Sequence, residues 1–129
     1  MADGLSTATA DIALSAIVGT GTNQANSANY VQLHTGAPGS AGTSNVSSVT
    51  TRESVTWGSA SAGSVAASNE PEWTSWAGTN GETDTDISFW SASTSGNFGF
   101  SCQLSSSVTM DTGDSLTLTS ITASIPTAS

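Results

Sequence analysis

The chain has no lysine, and Arg52 is its only arginine. Ten acidic residues leave a formal charge of −9. Nucleic-acid binding rests on several Lys or Arg side chains neutralising phosphates, so this function class is excluded. Anionic membrane surfaces are excluded on the same ground. Cys102 is the single cysteine, so no intrachain disulfide forms. No apolar run approaches the roughly 20 residues that span a bilayer. The N-terminus has neither the basic patch nor the apolar segment of a secretory signal. The expectation is a protein made soluble in a cytosol, and the sequon Asn45-Val46-Ser47 is then coincidental. Charged residues are scarce, at 9%. Surface polarity therefore falls to the hydroxyls of serine and threonine, which let many copies sit side by side without strong repulsion.

What is present reads as a β protein. At 129 residues the length bounds one domain. Residues 1–6 read as a short polar arm, followed by one domain over 7–129. A helix is predicted over 7–18, where Ala10, Leu14, Ile17 and Val18 form one apolar stripe. Ser6 or Thr7 caps it, Asp11 suits its early turns, and Gly19 ends it. Such a short helix needs a partner surface. Its own domain and a neighbouring protein or copy fit that need equally. Residues 20–29 form a polar connector.

The most distinctive text runs from Tyr30 to Trp57: strand, small-residue loop, strand. Val31 and Leu33 alternate with Gln32 and His34, giving one apolar and one polar face. Gly36, Pro38, Gly39 and Gly42 interrupt the ladder. Val49, Thr51, Glu53, Val55 and Trp57 then share one face of a second strand. Short strands follow at Ser64 to Ser68 and Asp86 to Ser91, with an edge or irregular entry at Glu70-Pro71-Glu72 and an Asn80-Gly81 hairpin signal. Phe98, Phe100, Cys102 and Leu104 alternate with polar residues, so Cys102 is expected in the core. Val108 and Met110 make a short strand. Leu116 and Leu118 fall in one phase and Ile121, Ala123 and Ile125 in the other, which predicts a bulge or kink within the strand. Seven or eight short strands with turns between them indicate an antiparallel β-sandwich or jelly-roll-like domain with one short N-terminal helix.

Chemistry finds little purchase. Asp111-Thr112-Gly113 is the aspartic-protease triplet, but Asp-Thr-Gly-Asp is equally a hairpin turn, and too little chain follows for a cleft. His34 is the only histidine, and it is expected to hydrogen-bond the loop that follows it. Glu82, Asp84 and Asp86 lie at i, i+2 and i+4 of a strand, so their carboxylates share one face, successively about 7 Å apart. Calcium binding through them is one reading. A solvated acidic edge that discourages sheet-to-sheet pairing is the favoured one. Trp57, Trp73, Trp76 and Trp90 fit a sugar-stacking platform, or the core and interface anchors of a chain poor in leucine and phenylalanine. The second reading is preferred. No catalytic residue and no cofactor is assigned.

The stretch Val31-Gln32-Leu33-His34-Thr35-Gly36-Ala37-Pro38-Gly39, then Gly42-Thr43-Ser44-Asn45-Val46, then Arg52 and Val55-Thr56-Trp57, resembles a family of small virion structural proteins of tailed phages. Ala67-Ser68-Asn69, Phe89-Trp90-Ser91-Ala92, Gly96 and Gly113-Asp114-Ser115-Leu116 extend the resemblance, as does the upstream helix. Ser47 to Thr51 departs from the usual pattern before the arginine. The resemblance implies a non-enzymatic protein on the virion exterior, built as a tail-fibre or minor tail protein or as a capsid decoration subunit. One compact module without repeats favours decoration, as a homotrimer seated on the major capsid protein. A tail-tip module bound to other tail proteins is the alternative. A glycan-binding module is a third reading, which requires an exposed tryptophan pair. The helix over 7–18 and the loop over 36–46 are the expected contact surfaces, with Leu14, Ile17, Val18, His34, Pro38, Trp73 and Trp76 as interface candidates.

Overall fold

A computed structural model describes residues 3–20 and 28–128. The predicted connector at 20–29 lies mostly outside the described residues. Helix α1 spans Thr7–Val18. The Ser6 hydroxyl accepts the Thr9 N–H at its start, at 3.2 Å. Gly19 closes it in the left-handed region, φ 83°, and donates to the Ser15 carbonyl. Ala10, Leu14 and Val18 point inward, so the helix docks on its own chain. The Asp11 carboxylate accepts the Gly63 N–H at 2.7 Å and ties the helix to the turn before the third strand.

Eight strands follow: β1 Tyr30–His34, β2 Glu53–Ser54, β3 Ser64–Ala66, β4 Glu72–Trp73, β5 Glu82–Trp90, β6 Phe98–Met110, β7 Leu116–Thr117 and β8 Thr122–Ser124. They build a four-stranded antiparallel sheet, β2-β1-β5-β6, and two antiparallel ribbons, β3-β8 and β4-β7. The fold is β-sandwich-like with a single short helix, as expected. Val31 and Leu33 of β1 and Ile87 and Phe89 of β5 share one core with Val65, Trp73, Leu116 and the helix residues Leu14 and Val18.

Several expectations shift. The strand expected over Val49 to Trp57 shrinks to β2 and an isolated bridge at Trp57. Asn80-Gly81 does turn the chain, with Gly81 at φ 79°, but β4 and β5 do not pair across it. The separate strand at Val108 and Met110 is the end of β6. The phase change after Leu118 is neither a bulge nor a kink within one strand: β7 pairs with β4, and β8 pairs with β3. The chain crosses from one ribbon to the other, and the inward phase resets.

The polar arm is partly pinned. Leu5 bridges Thr127 in parallel, and the Ala128 N–H donates to the Leu5 carbonyl at 2.8 Å. Cys102 is exposed rather than core. It lies on β6, an edge strand, where the opposing layer leaves a groove of about 560 Å3. Ile87, Leu104, Leu116 and Ile121 also line this groove.

Candidate functional site

The loop over 36–46 is a built feature. The polar face of β1 does not meet solvent, because Gln32 and His34 are buried along with Val31 and Leu33. Alternation places them opposite the main core. There Ser88 and Trp90 of β5 join them, also buried. This second core is polar, and the loop and Arg52 cover it.

The hydrogen bonds run in one direction. The Trp90 indole N–H donates to Ser88 Oγ at 2.7 Å. Ser88 Oγ meets His34 Nε2 at 2.7 Å, and His34 Nδ1 meets the Ser44 carbonyl at 2.8 Å. A carbonyl only accepts, so Nδ1 carries the proton and Nε2 accepts from Ser88. Burial holds His34 below the ordinary imidazole pKa; the Ser44 carbonyl and the Asp86 charge oppose that shift without overcoming it. His34 thus bonds the loop, as expected, and does so as a neutral ring.

The loop closes on itself around Asn45. Its side-chain N–H donates to the Ala37 carbonyl at 3.0 Å, and its carbonyl accepts the Thr35 N–H at 2.8 Å. Gly42, at φ 72°, lies so near the Phe98 ring that a Cβ there would sit 2.5 Å from Cδ2. Only glycine allows both this conformation and this approach. Pro38 is buried within the loop.

Arg52 locks the far end. Its guanidinium carbon lies 3.9 Å from the Trp90 ring centroid. Its Nε donates to Gln32 at 3.1 Å, and Nη1 donates to the carbonyls of Ala92 and Ser95 at 2.9 and 2.7 Å. The chain's one arginine is therefore spent internally.

Most predicted interface residues are inside. Leu14, Val18, His34, Trp73 and Trp76 are buried, and of the set only Ile17 is well exposed. No tryptophan platform exists, since all four tryptophans are buried. Their indole N–H groups bond inward, to Ala28, Thr51, Thr79 and Ser88. The stacking surface required by the glycan reading is thus absent among the described residues. Asp111 is exposed and forms a turn: its N–H donates to the Asp114 carboxylate, and the Thr112 N–H donates to Asn80. His34 and Asp111 do not line the groove beside β6.

The acidic triplet is not a solvated edge. β5 is a central strand, and Asp84 and Asp86 are buried. A register shift between Asp84 and Asp86 breaks the regular spacing of the three carboxylates. Among the described residues no group of three His, Cys, Asp or Glu side chains is placed to hold a metal, Glu82, Asp84 and Asp86 included. Sequence reasoning missed Ser88 and the covering role of Arg52. The signal available for the latter was that one fixed cation stands among ten acids.

A protein-family profile described as Podophage GP4 fiber I protein gp80 matches residues 4–125. The chain belongs to this phage fibre protein family. The match runs from before the helix to the last strand, so the fibre-family assignment takes in both the main core and the polar second core. Membership makes the chain a virion-associated phage protein, in keeping with the coarse form of the resemblance. No curated protein matches the sequence. No helix among the described residues is long and apolar enough to cross a membrane.

Proposed function

We propose that the chain is a non-enzymatic structural component of the fibre on the exterior of a tailed-phage virion. The observation that carries this reading is the fibre-family match over residues 4–125. It favours the tail placement over capsid decoration. The geometry is compatible with that role. Two candidate catalytic groups are spent on the fold: His34 holds a loop, and Asp111 shapes a turn.

Self-association as a homotrimer and contact with other virion proteins belong to the same proposal. Two exposed features support them. Ile12 is 71% exposed on α1, Ile17 is also exposed, and Asp11, the helix's one charge, is tied to Gly63. The loop over 36–46 presents a fixed outer surface. Many copies held by such modest contacts stabilise a particle collectively.

Copy number per particle, measured by quantitative mass spectrometry on purified virions against the major capsid protein, tests the placement. A small number in multiples of three or six supports a fibre. Hundreds of copies in fixed ratio to capsid subunits would overturn it in favour of decoration.

A further inference from the structure

Asp84 is the one buried carboxyl that the fold leaves without a visible partner among the described residues. Its exposure is 0%, and no donor reaches either oxygen. Its polar neighbours are Glu82 and Ser47. The Ser47 hydroxyl already donates to Glu82 Oε1 at 2.6 Å. The Ser48 N–H also donates to Glu82, at 3.0 and 3.2 Å to its two oxygens. Glu82 and Asp84 lie two residues apart on β5 and so share one face of the strand, while the Ser47 and Ser48 donors beside them are turned to Glu82. Two ionised carboxylates cannot bond, and a buried charge without a donor is costly. A proton held between them satisfies both.

We propose that Asp84 and Glu82 form a shared-proton pair that clamps the Ser47–Val49 segment to β5 in acid and loosens it once the pair is fully ionised.

The surroundings leave the pair as the switch. β6 presents Val108 opposite Asp84, with Thr109 and Met110 beyond. Along β5 the next acid is Asp86, paired with His34 of β1. Asp111 and Asp114, in the adjoining turn, are exposed. Only Glu82 acts on Asp84 as a charge. Burial first, then the Glu82 charge, raises the Asp84 pKa to about 6. An acid raised in the fold is stabilising while protonated. That contribution is full below the ordinary value of 3.8 and is lost as the pH rises through about 6. The segment it holds is the return leg of the 36–46 loop, so the clamp sets how firmly that leg is seated.

Hydrogen exchange at the Ser48 and Val49 amides tests this. After correction for intrinsic rates, protection in the wild type is expected to fall about tenfold between pH 5 and pH 7.5. Asp84→Asn mimics the protonated acid and donates to Glu82, so its protection stays high and flat. Should the variant not fold, a carbon-detected NMR titration of the wild-type Asp84 carboxyl decides alone, with a midpoint near 6 expected. A midpoint near 4, or protection independent of pH in the wild type, would overturn the proposal. So would an unchanged pH dependence in Asp84→Asn. Recovery of protection at pH 7.5 by calcium chloride, in the wild type only, would assign the pair to a cation and overturn it as well.

Discussion

The Arg52 guanidinium lies 3.9 Å from the centre of the Trp90 ring, and the same side chain donates to the carbonyls of Ala92 and Ser95. One cation therefore joins the approach to β2, the end of β5 and the turn before β6. Arg52→Ala is expected to cost about 2–3 kcal/mol, from the lost cation–π contact and the lost charge-assisted hydrogen bonds. Arg52→Lys recovers less than half, because an ammonium lacks the planar fork. Urea denaturation of both variants checks this, and equal stability of Lys and Arg would disprove it.

Ser88 both accepts from Trp90 and donates to His34. Ser88→Ala leaves a buried indole N–H and a buried imidazole nitrogen unpaired. The expected loss is about 1–3 kcal/mol. A loss below about 0.5 kcal/mol, the usual range for neutral surface changes, would mean that the relay contributes nothing.

His34 is held neutral by burial, so its folded pKa lies below the ordinary value of 6.5. Below that value the unfolded chain binds a proton that the folded chain resists. The stability contributed by neutral His34 is thus full above the ordinary value and is lost as the pH falls toward the depressed folded one. Nitrogen NMR of the ring should report the neutral Nδ1–H tautomer at pH 7. An imidazolium signal at that pH would contradict the assignment.

Gly42→Ala puts a methyl group into the Phe98 ring at a positive φ. The expected cost is about 1–3 kcal/mol, with the loop over 36–46 displaced. Limited proteolysis should cut within that loop faster in the variant than in the wild type. Unchanged cleavage would show that the loop seats itself without this contact.

Local signals were legible because they are local. Ser6 and Gly19 mark the ends of α1 through a hydroxyl acceptor and a left-handed cap, and both lie within one helical turn of what they cap. The alternation of Val31 and Leu33 with Gln32 and His34 shows the pleat of β1, but not what lies over each face. A loop that leaves the strand and folds back turned the polar face into a second core. Cys102 failed for the converse reason. Its phase is that of Phe100, paired with Phe89, yet β6 is an edge strand and the groove beside it stays open.

Sequence by itself determined the β class, the single short helix and its caps, the turn at Asp111, and the near absence of cations. Those follow from periodicity, backbone preference and charge, which act over a few residues or over the whole composition. Tertiary structure alone decided that Arg52 reaches Trp90, that Ser88 bonds His34, and that Asp84 is buried without a donor. Each of those relations depends on strand order and register. Burial and low dielectric then give an ordinary side chain its partner and its pKa.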